Sequence, residues 1–428
     1  MNSSRPIVVD LFAGAGGLSF GFEQAGFDVV AAVEVDPVHA CVHKFNFPQC
    51  AVIPRSVREI SGSDIRKAAG LSAATPIDVV TGGAPCQGFS IIGSRALDDP
   101  RNSLVREFIR LVGELQPSHF LFENVKGLTL QKHRSFLEEV IEEFGRAGYS
   151  VLQPWQVLNA KDYGVPQSRE RLFLIGARRF DDLPSYPEPL RSPVTCLDAL
   201  DDLPDAERFD QLLFCDEVPS DYLKRARGYS ALMRCSNAES WRYGYRRKWN
   251  NKQLTSSRRT LHTSVSRSRF ARTEPGTKEP ISRFLRLSPY GISNTLRAGT
   301  DSARGSFTSP RPIHYQYARC VTVREMARLH GFPDWFRFQE TKWHGARQIG
   351  NSVPPPLAYA IACEIMRRIP AEPTRPARSL RLGCESLLKM NMATAAKYWG
   401  IKCPIEQRNQ KSGKKKRKQV AAEAHLSR

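Results

Sequence analysis

Apolar residues fall into short runs and helical stripes that alternate along the first 180 residues. Ile7-Val8-Val9 begins a strand, residues 12–17 form a glycine-rich turn, and the helix that follows runs to about Ala25, where Gly26 stops it. A second strand over residues 29–33 ends at Glu34. Ile77, Val79 and Val80 mark a buried strand that ends at Gly82-Gly83, and Phe120-Leu121-Phe122 marks another that ends at Glu123-Asn124. Between these two strands Leu104, Phe108, Leu111, Val112 and Leu115 recur at helical spacing. Phe136, Leu137, Val140, Ile141 and Phe144 do so further on, and both stripes predict helices with one core-facing side. A strand near residues 151–158 and another over 172–175 complete the series. Alternation of this kind predicts an open α/β sheet, in which ligands and chemistry collect at the carboxyl ends of the strands.

From about Asp181 to Ala318 the alternation fails, and Pro, Ser, Arg and aromatic residues dominate. This stretch reads as an inserted second lobe. Three prolines, Pro354-Pro355-Pro356, then favour the start of a helix over residues 357–368. The expected division is therefore a first catalytic part over 1–180, an inserted lobe over 181–318, a returning part over 319–370, and a tail over 371–428.

Candidate chemistry gathers where the pattern puts the strand ends. Cys86 sits on the loop Gly82-Gly83-Ala84-Pro85-Cys86-Gln87-Gly88-Phe89-Ser90, and a thiol held there between a proline and glycines is placed to attack a ligand. The plainer reading of one cysteine is an inert small hydrophobe, so its companions decide. Glu123 brings a carboxylate to the same sheet edge. Arg169 and Arg171, one residue apart on an extended segment, face one side and offer guanidinium forks suited to a base carbonyl or a phosphate. The glycine turn after the first strand lets a ligand approach the backbone and the free N–H groups of a helix start, and Glu34 can accept ribose hydroxyls.

Five motifs occur in a fixed order: Asp10-Leu11-Phe12-Ala13-Gly14-Ala15-Gly16-Gly17, Pro85-Cys86-Gln87, Glu123-Asn124-Val125, Gln167-Ser168-Arg169-Glu170-Arg171 and Gly350-Asn351-Ser352-Val353. In this order they resemble the cytosine-5 DNA methyltransferase family of the bacterial restriction-modification type, over about residues 7–368. The resemblance implies a Rossmann-like α/β methyltransferase domain with an inserted, irregular DNA-recognition lobe. It implies S-adenosylmethionine as methyl donor, bound by Phe12, Gly14, Gly16, Gly17, Leu18, Glu34, Asn351 and Ser352. For the adenine contact, Ser56-Val57 and Asp64-Ile65 both stand as candidates; the second pair has the acid that the family usually shows, and Asp64 and Ile65 are taken into the expected site. The catalytic set implied is Cys86 as nucleophile at cytosine carbon 6, Glu123 and Arg169 as stabilisers of the charge that develops on the ring, and Arg171 as their support. Residues 91–97, beside the nucleophile, are expected to form a lid.

Charge refines the expected partner. The chain carries a formal net charge of +20, which favours a polyanion, and residues 222–272 hold fourteen Lys or Arg against Glu239 alone. Because Tyr229, Trp241, Tyr243, Tyr245 and Trp249 interleave there with Arg242, Arg246, Arg247 and Lys248, the stretch is expected to grip duplex DNA. The tail beyond Pro370 carries an excess of ten positive charges and the run 411–418, and is expected to be an accessory DNA tether with a short helix over residues 387–399. Ten cysteines without Cys-x-x-Cys pairs or His clusters indicate neither a metal site nor disulfides. No run is long enough to span a bilayer and no leader pattern opens the chain, so a monomeric, cytoplasmic, DNA-associated enzyme is expected, with a separately encoded restriction endonuclease as possible partner. An RNA (tRNA) cytosine methyltransferase with the same core and a non-catalytic DNA-binding relative are the competing expectations. A dinucleotide oxidoreductase would explain the glycine turn and none of the later motifs.

Overall fold

The computed structural model describes residues 5–85, 102–130, 133–300 and 308–403. Cys86, the expected lid over 91–97 and the basic run 411–418 lie outside the described residues.

The alternating pattern builds a sheet. In chain order it runs β1 (Ile7–Leu11), α1 (Gly17–Ala25), β2 (Asp28–Val33), α2 (Pro37–Asn46), β3 (Ala51–Ile53), α3 (Gly62–Ala68), β4 (Val79–Gly82), α4 (Ser103–Leu115), β5 (His119–Val125) and α5 (Arg134–Arg146). The antiparallel strands β6 (Ser150–Val151), β7 (Gln156–Asn159) and β8 (Glu170–Ala177) follow. The single strand expected near 151–158 is thus two short ones with Pro154 between them, and a proline supplies no ladder N–H. Strand order is β3-β2-β1-β4-β5-β8-β6, with β7 also paired to β8, and β1 to β5 are mutually parallel. Order reverses between β1 and β4, where a doubly wound sheet opens its ligand crevice.

Alternate residues of the strands feed two cores. Val8, Val29, Ala32, Val79, Leu121 and Phe173 face one side with Phe20 and Phe22 of α1 and Val38 and Val42 of α2. Val9, Leu11, Ala31, Val80, Phe120, Phe122 and Leu174 face the other with Ile65, Phe108, Phe136 and Val140 of α3, α4 and α5. The period of two along each strand is what divides them.

The inserted lobe is irregular, as expected: α6 (Cys196–Leu200), β9 (Val218–Pro219), α7 (Gly228–Met233), β10 (Arg247–Lys248), β11 (Gln253–Leu254) and α8 (Ser264–Arg272) are all short. The chain then returns through α9 (Val323–His330), α10 (Lys342–Asn351) and α11 (Pro355–Met366). Thr322 and Glu325 form a capping box on α9, and two prolines open α11. α11 lies directly on α1: a Cβ at Gly21 would stand 2.4 Å from the Cβ of Ala358.

Within the stretch 222–272 expected to grip DNA, residues 241–249 are largely committed to packing, with Arg246 and Lys248 exposed. Tyr229, Trp241 and Tyr245 are buried, and Arg247 is fully buried with its guanidinium 2.8 Å from the Glu23 carboxylate at the end of α1. Trp241 stacks on Trp335, Arg242 lies 3.5 Å over the Tyr359 ring, and Tyr245 donates to Asp28, the first residue of β2. The stretch therefore cements the lobe to the amino-terminal edge of the sheet, opposite the edge where the strands end. The start of the tail is packed on the domain. β12 (Leu380–Arg381) pairs with β10, while α12 (Ser386–Lys389) and α13 (Met392–Trp399) lie on α2, with Leu387, Leu388, Ala395 and Ala396 buried and Trp399 donating to Pro37. The helix expected over 387–399 forms as two.

A buried pair stripped of one partner leaves an uncompensated charge. Glu23→Ala should therefore lower stability by about 3–5 kcal/mol, measured by chemical denaturation. Truncation after Pro370 should destabilise the protein by exposing α2, read as a lower melting temperature.

Candidate functional site

The strand ends enclose a cavity of about 730 Å³. β1 delivers Phe12, Ala13, Gly14, Gly17 and Leu18; β2 delivers Glu34, Val35 and Asp36; β4 delivers Gly83, Ala84 and Pro85; β5 delivers Glu123, Asn124 and Val125. Arg169 and Arg171 come from the start of β8. That strand runs antiparallel to β5, with Arg171 opposite Val125, so its first residues reach the edge where β5 ends. Arg347, Gly350, Asn351, Ser352 and Val353 close the remaining wall from the returning part of the chain.

One half of the cavity suits a nucleoside. Both oxygens of Glu34 are held by backbone N–H groups, Gly14 on one and Asp36 on the other at 2.8 Å each, which fixes the carboxylate while leaving lone pairs for further donors. Burial raises its pKa above the ordinary carboxylate value, against the pull of His39. Asp36 caps α2 through Val38 and His39; burial pushes its pKa up, but the nearby His39 and His344 rings and the two backbone N–H bonds together hold it below its usual value. The first turn of α1 faces the cavity with N–H groups that its own helix does not use. Beneath the turn Asp10 is fully buried, accepts a 2.6 Å bond from Ser19, and is raised to about 7 by burial.

The other half is a charged cluster under Pro85. The Arg171 Nε stands 2.8 Å from Glu123. Arg169 is buried and donates to the carbonyls of Gly350 at 2.8 Å and Leu296 at 3.2 Å, while its Nε has no hydrogen-bond partner among the described residues. Burial lowers its pKa to about 9, with repulsion from Arg171 adding to the fall. Burial raises Glu123 despite the two arginines, so the carboxyl holds a proton to higher pH than a free glutamate. A Cβ on Gly83 would lie 2.5 Å from Glu123 Oε2, so only glycine lets β4 pass this close. Asn124 donates to Ala84 O at 3.0 Å and thereby fixes the backbone two residues before Cys86.

Phe12, Gly14, Gly17, Leu18, Glu34, Glu123, Arg169, Arg171, Asn351 and Ser352 thus all line one cavity. Gly16 caps α1 from behind the wall, against Phe47. Asp64 and Ile65 do not reach the cavity. The Asp64 carboxylate closes a capping box with Ser61 on α3, and Ile65 is buried in the core under α4. Ser56 and Val57 are also outside it, Ser56 capping a short turn and Val57 buried in the same core. The side chains that do follow Glu34 into the cavity are Val35 and Asp36. The motif Asp36-Pro37 is a readable helix start and signals that position; Arg347 had no signal, because α10 meets the cavity only through the return of the chain. Among the described residues no group of three or more His, Cys, Asp or Glu side chains is placed to hold a metal ion, and no helix is long and apolar enough to cross a membrane.

Comparison with known proteins agrees with this geometry. The sequence profile of the family described as C-5 cytosine-specific DNA methylase matches residues 7–367. The chain is 54% identical over 402 residues, 94% of either chain, to the Type II methyltransferase M.XorII of Xanthomonas oryzae pv. oryzae. It is 32% identical to the Type II methyltransferase M1.HphI of Haemophilus parahaemolyticus, over 84% of this chain and 86% of that one. Among solved structures, an E. coli protein described as a DNA modification methyltransferase encoded within a prophage superposes with a TM-score of 0.70 at 34% identity, covering 85% of this chain and 99% of its own. The Dnmt2 methyltransferase of S. pombe shares the fold, with a TM-score of 0.52 at 16% identity over 85% of this chain and 99% of its own.

A Cβ on Gly17 would stand 2.3 Å from the Val353 carbonyl oxygen, a backbone atom with little room to move. Gly17→Ala should therefore cost about 1–3 kcal/mol of stability by overpacking. By forcing α1 from the wall it should also weaken S-adenosylmethionine binding, read by thermal melting and titration calorimetry.

Proposed function

The chain belongs to the C-5 cytosine-specific DNA methylase family and is a DNA cytosine-5 methyltransferase; from that premise we propose that it modifies a cytosine flipped out of a short duplex sequence, as the modification half of a restriction-modification system. The observation that carries the reading is the convergence of Pro85, Glu123, Arg169 and the Glu34 cradle on one cavity. The enzyme works as a cytoplasmic monomer and protects the DNA of its cell from a separately encoded endonuclease. S-adenosylmethionine, when bound, supplies an electrophilic methyl group on a sulfonium. Glu34 and the α1 first turn suit its nucleoside, and Phe12 gives an apolar wall.

Carbon 5 of cytosine is too weak a nucleophile to take that methyl unaided. Cys86, which follows Pro85 directly, adds as a thiolate to carbon 6, and the ring electrons move toward nitrogen 3 and the exocyclic oxygen. Glu123 gives its proton to nitrogen 3, which is why a carboxyl held protonated by burial is useful there. The Arg169 guanidinium supports the charge at the oxygen, held in place by two carbonyls. Arg171 orients Glu123. The enamine so formed has a nucleophilic carbon 5. Its methylation, followed by loss of the carbon 5 proton to a base, departure of the Cys86 thiolate from carbon 6 and return of the nitrogen 3 proton to Glu123, restores the aromatic ring and the starting enzyme.

Duplex DNA must lie over the cavity mouth, because flipping carries the base only as far as its own backbone allows. The part of the lobe tied to the strand start that carries Arg169 is the segment 293–300, which we take to meet the DNA: Ser168 donates to Ser293 O, and Thr295 donates to Ser168 O. Asn294 and Arg297 are exposed on it. They add to the DNA contact expected of residues 222–272, whose portion 241–249 is largely taken up in packing.

Incubation of the full chain with duplex DNA and methyl-labelled donor, followed by bisulfite sequencing, tests the reading; label on an exocyclic nitrogen, or only on tRNA, contradicts it. Because Glu123 must be protonated and its pKa is raised, kcat should fall as pH rises through that raised value. Glu123→Gln should remove this alkaline limb and lower kcat by about 10²-fold or more. Arg297→Ala should reduce the salt slope of duplex binding by about 0.9. Arg246→Ala with Lys248→Ala should leave it unchanged, as fluorescence anisotropy over a salt series would show.

A further inference from the structure

Behind Arg169 lies a chain of hydrogen bonds that the chemistry above does not use. Gln167 and His330 are both fully buried. The Gln167 Oε1 accepts from the Leu296 N–H at 3.0 Å, which fixes the orientation of its amide. Its Nε2 is then a donor, shared between the Leu329 carbonyl at 3.3 Å and the His330 Nδ1 at 2.9 Å. Nδ1 must therefore accept, so the proton of a neutral ring sits on Nε2, which donates to the Ser352 carbonyl at 3.0 Å. The neutral ring agrees with its surroundings, since burial and the nearby Arg169 and Arg171 hold its pKa well below the ordinary value. Every polar atom of both side chains has a partner.

The ends of this chain matter more than its middle. Leu296 belongs to the DNA-facing segment 293–300, and its carbonyl accepts from Arg169. Ser352 lines the cofactor wall, next to Gly350, whose carbonyl accepts from the same guanidinium. Gln167 also forms a parallel bridge with Ser293. Recognition lobe, charge-stabilising arginine and cofactor wall are thus tied by two side chains that touch neither substrate.

We propose that Gln167 and His330 are positioning residues that hold the lobe segment at Leu296 and the cofactor wall at Ser352 in one register, so that both carbonyls aim Arg169 at the flipped base. The inference rests on the methyltransferase reading of the cavity. A bond on each side of Arg169 fixes its fork only while the Leu296 and Gly350 carbonyls keep their spacing; Arg297 and Ala298 pack directly on Gly350, and Gln167 with His330 adds a hydrogen-bonded tie from Leu296 to Ser352.

The test uses the full chain with three substitutions. His330→Leu removes both ring bonds, Gln167→Met removes the amide at nearly constant volume, and His330→Gln keeps one acceptor and one donor about as far apart as the two ring nitrogens. Covalent trapping with 5-fluorocytosine DNA counts active sites, so rates refer to folded, competent enzyme. His330→Leu and Gln167→Met are expected to lower kcat per trapped site about tenfold or more, since small displacements of charge-stabilising groups are costly. They are expected to raise the KM for S-adenosylmethionine several-fold. The KM for DNA should stay within about twofold, and His330→Gln should restore both altered constants toward the parent values. Parent rates in Gln167→Met, a His330→Gln no better than His330→Leu, or failure of both apolar variants to fold would make the pair merely structural and overturn the proposal. Calorimetric affinity for S-adenosylmethionine reads the Ser352 end without turnover, so an inactive parent would count against the methyltransferase reading and leave the positioning role still measurable.

Discussion

The pairing of β8 against β5 is the constraint on which the site depends. Seven residue pairs run antiparallel from His119 opposite Ala177 to Val125 opposite Arg171. A parallel β8 would carry its first residues to the far edge of the sheet, and Arg169 and Arg171 would never meet Glu123. Reversal of one strand converts two arginines that precede a strand into partners of a carboxylate that ends another. Their burial follows: a desolvated guanidinium beside a desolvated carboxyl needs fixed acceptors, and Leu296, Gly350 and Glu123 are those acceptors.

Much of this was legible because glycine turns and strand-end acids are local signals. Gly26 stops α1, Glu34 ends β2, and Glu123 ends the run Phe120-Leu121-Phe122, each where hydrophobic periodicity places it. Asp64 was misassigned by a test of residue type alone. Read together with Ser61 three residues earlier it is a capping box, and its carboxylate is committed to the helix start. The local pattern was present and pointed away from the ligand.

The buried part of 222–272, residues 241–249, departs from its expected exposure for a different reason. Composition reports that arginine and aromatic residues coincide, and the same coincidence serves phosphates or a buried ion pair. What decides is the partner, and the partner of Arg247 is Glu23 on the first helix of the chain. Nothing local distinguishes that arginine from its exposed neighbours Arg246 and Lys248. Likewise Leu387 and Leu388 fall in the helix expected over 387–399, and only the fold shows that α2 is what buries them. Contacts between segments this distant are set by topology, and topology is the part of the fold that periodicity does not encode.

The packing of α11 on α1 has a consequence for synthesis. The glycine that lets the two helices touch leaves the ribosome early, and the alanine it touches leaves after the whole recognition lobe. Until then α1 covers its face of the nascent sheet, but the side of α1 that carries Gly21 lacks the cover that α11 gives it. The chain emerges as a half-built layer that must stay soluble while its lobe is made, so the order of translation runs opposite to the order in which the core closes.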